Sequence, residues 1–348
     1  MKLDGGKEFI IIGENIHTTR VVLRNGKLVT TSPDGTEAVR FTTTSNDTRY
    51  LVIPDDIKRT QTYEEGRVKH VSIAIRAAMA GVEPAAGVGL EYIRMLVARQ
   101  LHAGADFLDL NVDEVSLRTE QQKETIRWLV RTVEPMSDVP MCVDSSNVEI
   151  IKAGLEACQG KAGRPMLNSA SLERLEALDL ARSMNLRVIV TAAGQKGMPE
   201  NDEQRVANAS QMVENALAKG IPLDDIFVDA LIFPISVDSR FGNHSLDAIR
   251  RLRERYGREI HITGGFSNVS FGLPCRRLIN DVFLRLALEA GADSGIIDPV
   301  TSRVDQIAAL DEQSHEYRLA ADVLLGRDRN CKNFLRAYRK GELQAATA

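Results

Sequence analysis

The chain has 348 residues, 43% of them hydrophobic and 5% aromatic, and its 44 Lys plus Arg against 48 Asp plus Glu give a formal net charge of −4. That balance suits a soluble globular protein; it argues against the basic footprint of a nucleic-acid binder and, with a single Trp128, against an aromatic stacking platform. No apolar run approaches the roughly 18 residues of a membrane helix, Met1–Gly6 lacks the regions of a signal peptide, and Cys142, Cys158, Cys275 and Cys331 lie far apart with no Cys-x-x-Cys pair, which argues against a disulfide framework or zinc ribbon and fits a reducing cytoplasm.

Short apolar runs alternate with longer amphipathic stretches along the chain. The runs Phe9–Gly13, Phe107–Val112, Met141–Asp144, Met166–Ser169, Val188–Thr191, Ile226–Leu231, Ile260–Phe266 and Gly295–Asp298 predict strands. Each is apolar nearly throughout, as expected of parallel strands covered on both faces. The spacing of Leu90, Ile93, Leu96, Val97 and Leu101 predicts a helix that stops at Gly104. Further helices are predicted over Thr119–Thr132, Asn147–Ala157, Asp202–Lys219, Ser245–Tyr256 and Asn280–Ala290, with a closing pair over Val304–Gly326 and Cys331–Leu343. Eight strands with intervening helices predict an α/β fold of the (β/α)8 barrel type, which needs about 250 residues. A doubly wound open sheet is the alternative, but no Gly-x-Gly-x-x-Gly turn follows strand one. The whole chain, 1–348, therefore reads as a single barrel domain.

Residues 17–65 do not fit this alternation, being rich in Thr, Arg and Asp and poor in Leu. Within them Val21–Val29 reads as a hairpin about Asn25-Gly26, a pair suited to a type I′ turn. Ser32-Pro33-Asp34-Gly35 supplies a second turn, and Ala38–Thr43 a third strand. The segment is expected to be a β insertion after strand one, too polar for a core of its own. Its apolar Val21, Leu23, Leu28 and Val29 should pack on the barrel or a neighbour. A lid, a docking surface and an oligomer contact are all open as its role.

Strand ends are where a barrel carries its chemistry. In chain order they present Glu14 and Asn15, Asp109 and Asn111, Asp144, Asn168, Thr191, Asp229, Ser267 and Asn268, and Asp298. A lone Asp at such a place is often a helix cap, and Asp144-Ser145-Ser146-Asn147 is a good capping sequence. The run of carboxylates and carboxamides over successive strand ends is harder to assign to capping. His17 is the only His near a strand end, so neither a His/Cys zinc site nor a Ser–His–Asp triad is expected. A carboxylate accepts two parallel N–H bonds and a carboxamide both donates and accepts, which suits the flat edge of an aminopyrimidinone. A divalent metal held by the carboxylates is the rival reading. Gly264-Gly265 could form a phosphate nest, but its flanks lack the usual pattern.

Taken together, Ile12-Gly13-Glu14-Asn15-Ile16, Leu108-Asp109-Leu110-Asn111-Val112, Cys142-Val143-Asp144-Ser145-Ser146-Asn147, Leu167-Asn168-Ser169, Val228-Asp229-Ala230-Leu231 and Ser267-Asn268-Val269-Ser270 with Arg276 resemble one family. It is the pterin-binding family of methyltetrahydrofolate:corrinoid-protein methyltransferases, relatives of the folate module of cobalamin-dependent methionine synthase. The resemblance covers about residues 8–16 and 85–340. It implies a TIM barrel and a homodimer, with tetrahydrofolate or 5-methyltetrahydrofolate as substrate and a corrinoid (cobalamin) carried by a partner protein. By the same resemblance Asp144, Asn168 and Asp229 hold the polar edge of the pterin, with Asp109, Asn111, Gly265, Ser267 and Arg276 completing the substrate-binding set. Asn268 matches the catalytic Asn near N5. No resident metal, nucleic acid or membrane is implied. The chain departs from the family in the 17–65 insertion, in His17 where members usually carry Asn, and in Phe271 where some carry a polar side chain. Dihydropteroate synthase shares the pterin pocket, but its Lys and Ser-x-Arg motifs have no convincing match here. A condensing enzyme of that kind, or a pterin-binding protein without turnover, is the alternative.

Overall fold

Apolar runs with no polar alternation can be satisfied only inside a covered parallel sheet, and the computed structural model, which describes residues 8–343, shows one. Its strands are β1 (Ile10–His17), β2 (Phe107–Asn111), β3 (Met141–Asp144), β4 (Met166–Ala170), β5 (Arg187–Thr191), β6 (Ile226–Asp229), β7 (His261–Thr263) and β8 (Ser294–Ile297). The strand order is β7-β6-β5-β4-β3-β2-β1-β8. Gly265 bridges Ile296 in parallel, joining the two ends of that order. This is the predicted (β/α)8 barrel fold. All four cysteines are free thiols, and no helix among the described residues is long and apolar enough to cross a membrane. Met1–Gly6, read above for a signal peptide, lies outside the described residues.

The chain divides into two compact units, residues 13–166 and residues 1–12 with 167–348. In the first, β2 and β3 pair in parallel with Asn111 beside Asp144. The helix Val148–Leu155 follows β3, and its cap is Asn147, whose Oδ1 accepts from the Glu149 backbone N–H at 2.9 Å. Asp144 is thus released from the capping role its sequence neighbours suggested. Gly154 lets this helix approach the sheet: a Cβ there would lie 2.7 Å from Val143 Cγ1 and 2.8 Å from Ile126 Cγ1.

The insertion departs from expectation in pairing and packing. Val22–Leu23 pairs not with Val29 but with Arg67–Val68, so Asn25-Gly26 links two small sheets instead of closing a hairpin. The Gly26 N–H donates to the Leu23 carbonyl at 3.0 Å, and neither Asn25 nor Gly26 has the positive φ that a type I′ turn requires. The hairpin is one turn later: Val29–Thr31 pairs with Glu37–Thr42 around Ser32–Gly35, and Thr48–Val52 adds a third antiparallel strand. The buried apolar residues include Ala38, Val39, Phe41, Leu51 and Ile53, whereas Val21, Leu23 and Leu28 are exposed. Over Val39–Thr42 the burial alternates with period 2, which turns Phe41 edge-on to Tyr92 of the helix Ala85–His102, with ring centroids 4.8 Å apart. Arg49 pairs with Glu91 of the same helix. The insertion does have a core, shared with that helix.

In the second unit, β5, β6 and β7 pair in parallel, setting Thr191 beside Asp229 and Asp229 beside Thr263. Strand β7 is shorter than predicted, because after the Gly265–Ile296 bridge the backbone leaves the sheet through a 3-10 segment, Phe266–Ser270. A helix over Glu176–Ser183 was not predicted. The stretch 304–326 is not one helix but two, Val304–Ile307 and His315–Leu324, the second capped by Ser314. A third helix, Lys332–Arg339, follows.

Candidate active site at the strand ends

In the first unit β1 runs on to His17, four residues beyond its predicted end, and this brings His17 to the polar end of β2. His17 Nε2 lies 3.0 Å from Asp109 Oδ2, with the carboxylate fully buried and the imidazole 12% exposed. One strand over, Asn111 Nδ2 donates to Asp144 Oδ2 at 2.9 Å. Asn111 is itself oriented, since its Oδ1 accepts from the Asp113 N–H at 3.0 Å. Asp113 closes the loop by accepting from Ser145 Oγ at 2.5 Å and from the Ser146 N–H at 2.9 Å. The thiol of Cys142 faces Asp109, and burial with that carboxylate pushes it well above its usual range.

These contacts set the charges. Asp144 is partly accessible yet surrounded by protein, so its charge is poorly solvated. Burial first, then the charge of Asp109, raise it to about 7 against the opposing pull of His17 and the Asn111 bond. For His17 burial works to lower the pKa. The bond to Asp109 and the charges of Asp109, Asp144 and Glu14 outweigh it, so the net direction is upward. One donor atom from each of His17, Asp109 and Asp144 falls within 4.8 Å of the others, close enough to hold a metal ion. Two of the three, His17 and Asp109, are already joined by a direct hydrogen bond.

In the second unit Asp229 ends β6. Its Oδ1 accepts from the Leu231 N–H at 2.8 Å, and burial raises it to about 6 despite that bond and the charge of Arg205. Arg205, on the helix Asp202–Ala218, is wholly buried. It donates through Nε to the Ala230 and Leu231 carbonyls at 3.1 and 3.2 Å and through Nη1 to the Asn201 carbonyl at 3.1 Å. The guanidinium also covers Phe233 at 4.7 Å, fixing the chain just after Asp229. Asn168 lies buried within β4, and Arg174 reaches back to Ser169 Oγ at 3.3 Å. Ser267 and Asn268 ride on the Phe266–Ser270 turn, and Asn268 is exposed. A Cβ on Gly265 would meet Asn268 Nδ2 at 3.0 Å, so glycine leaves this amide its room. Arg276 does not stand free: it donates to the Ser267 carbonyl at 2.9 Å and to Ser270 Oγ at 3.0 Å, fastening the turn.

Among the described residues, Asp144 and Asp229 each use one carboxylate oxygen in a hydrogen bond and leave the other without one. Asp109, Asn111 and Asp144 are thus brought together with His17, and Gly265, Ser267, Asn268 and Arg276 with one another. The predicted set omitted His17 and Arg205. For His17 the signal was its place four residues past a strand; an Arg in an amphipathic helix gave none.

Residues 89–298 match the family model for pterin binding enzyme. Over 257 residues the chain is 31% identical to the methylcorrinoid:tetrahydrofolate methyltransferase of Eubacterium limosum, covering 72% of this chain and 89% of that one. It is 28% identical over 245 residues to the methionine synthase of Mycobacterium leprae, covering 66% of this chain but only 19% of that much longer protein. The fold is similar to that of the dihydropteroate synthase of Xanthomonas albilineans in complex with 7,8-dihydropteroate, with a TM-score of 0.50, 18% identity, and 66% of this chain and 86% of that one covered. At that identity the likeness speaks for the fold alone. The chain belongs to the pterin-binding enzyme family, on its methyltransferase branch.

Proposed function

We propose that this enzyme moves a methyl group between N5 of a tetrahydrofolate and the cobalt of a corrinoid carried by a partner protein. The observation that carries the reading is the pair of strand-end carboxyls, Asp144 and Asp229, each with an oxygen left for a ligand. Enclosed carboxylates with spare acceptors fit the N–H-rich edge of an aminopyrimidinone. The E. limosum relative supports the choice of folate and corrinoid over other chemistries.

Asp144, Asn168 and Asp229 then hold the polar edge of the pterin, and Asp109, Asn111, Gly265, Ser267 and Arg276 shape and brace the site around it. The corrinoid supplies the cobalt that takes or gives the methyl group. In the folate-to-cobalt direction the N5–CH3 bond breaks with its electron pair left on N5. An amide anion is a poor leaving group, so N5 has to gain a proton or strong hydrogen bonding as that bond opens. Asn268 donates its amide N–H there, stabilising charge that develops chiefly in the transition state. Its exposure on the turn suits a residue that works where a second protein has to approach. The barrel acts by positioning and activation and needs no covalent intermediate.

The test is methyl transfer between 5-methyltetrahydrofolate and free cob(I)alamin, followed in the cobalamin spectrum. Conversion to the methylated spectrum at a rate proportional to enzyme is expected. Binding of folate with no spectral change in either direction of the reaction would contradict the reading.

A further inference from the structure

His17 has no part in the pterin contacts proposed above, yet it is closely held at the ends of β1 to β3. Its ring is nearly closed off from solvent and sits 3.0 Å from a wholly buried carboxylate. Its nearest donor atom is within 4.8 Å of a carboxylate oxygen of Asp144. The charged and titratable groups around the pair are Glu14 on β1, Asp109 on β2, Cys142 on β3 and Asp113 in the loop after β2. Glu14 is itself engaged by Arg20 at 3.3 Å, and Asp113 by the Ser145 and Ser146 hydroxyls. Four carboxylates, Glu14, Asp109, Asp113 and Asp144, thus surround one imidazole.

Crowding of this kind has a chemical consequence. A pterin edge donates N–H bonds, and since Asn111 already donates to Asp144 Oδ2, a proton on Asp144 would sit on the remaining oxygen, where an acceptor is required. Like charges within a few ångströms push carboxyls toward protonation, and a cation among them opposes that. We propose that His17 is a positioning residue: its imidazolium, held by Asp109, keeps Asp144 available as a carboxylate for the pterin. This rests on the pterin reading of the site and goes beyond it, since it makes folate affinity depend on a proton at a residue that does not touch the ligand. The upward displacement of His17, and the downward pull of its charge on Asp144 against burial and Asp109, agree with it.

The experiment is the dissociation constant of 5-methyltetrahydrofolate from pH 5 to 9 for the whole protein and for His17→Asn and His17→Gln. For the unaltered protein, affinity should fall as pH drops through the Asp144 midpoint. In both variants that midpoint should move up by about one pH unit, the usual effect of losing one close opposite charge. Affinity is then about fivefold weaker than the unaltered protein at pH 7 and equal to it by pH 9. The ligand's own titration cancels, since all three proteins meet the same folate. His17→Gln keeps a donor for Asp109 without the charge, so behaviour like the unaltered protein would overturn the role of charge. A loss of affinity equal at every pH would make His17 merely structural, and a midpoint that moves on adding EDTA or zinc would make the cluster a metal site; either overturns the inference. If the unaltered protein binds no folate at any pH, the pterin reading itself fails.

Discussion

The ends of β1 to β3 and the Phe266–Ser270 turn present opposite solutions to holding a polar group. At the first, charge is enclosed: Asp109 is fully buried, Asp144 is surrounded by protein, and His17 is set among them. The turn carries a neutral amide in the open, Asn268, with exposed Phe271 just beyond, and draws its rigidity from Arg276 bonded to the Ser267 carbonyl. Enclosure raises the energy of an unsatisfied charge and so raises the reward for a ligand that satisfies it. Exposure gives little binding energy but leaves room for a second reactant. The first region is therefore suited to affinity and the second to the transfer step.

Breaking the turn should have the largest effect on rate. Asn268→Ala should lower kcat by about 100-fold with little change in KM, the signature of an interaction made in the transition state; steady-state kinetics with free cobalamin checks it. An effect confined to KM would move Asn268 into the binding set. Arg276→Ala loosens the same turn without removing the amide and should cost about tenfold in kcat, with folate affinity unchanged by calorimetry.

The two raised carboxyls should respond with opposite signs in binding and stability. Ionising a buried carboxyl costs the folded state, so Asp144, at about 7, and Asp229, at about 6, erode stability as pH rises from the unfolded carboxyl range through those values. Asp144→Asn removes its share of that cost. It should weaken folate binding about tenfold yet stabilise the fold by about 1 kcal/mol or more above pH 8. The gain should shrink to nothing toward pH 4, as denaturant melts across pH would show. The raised His17 has the other sign: its contribution is complete below its unfolded value and fades as pH rises through the folded one. The smallest effect on the site is expected from the insertion. Replacing residues 20–50 by a short Gly-Ser loop removes the Phe41–Tyr92 packing and should lower stability. Folate affinity should stay within about twofold. A large loss of affinity would tie the insertion to the site.

Much of this was legible in the residues. The strands were, because doubly covered strands have to be apolar throughout, and Asp144 and Asp229 stood out as the first polar residues after such runs. Asn147 showed why a capping sequence need not implicate its first Asp. The turn at Gly264-Gly265 was hidden, since Phe266 continues the apolar run after the backbone has left the sheet. In the insertion Asn25-Gly26 drew attention to the wrong turn, while the alternation of Val39 to Thr42 carried the better signal. Spacing placed His17 near a strand end but could not show its partner, and it gave no sign of Arg205. The Asp partner of His17 lies 92 residues on, and the carbonyls that bury Arg205 belong to a loop 25 residues away.

The central claim, that strand-end carboxylates and carboxamides hold a pterin, is tested most directly by calorimetry of 5-methyltetrahydrofolate binding to Asp144→Ala, Asn168→Ala and Asp229→Ala. Each should keep a cooperative fold and lose about 1–3 kcal/mol of binding free energy, roughly five- to 150-fold in affinity. Unchanged affinity in all three would contradict the account.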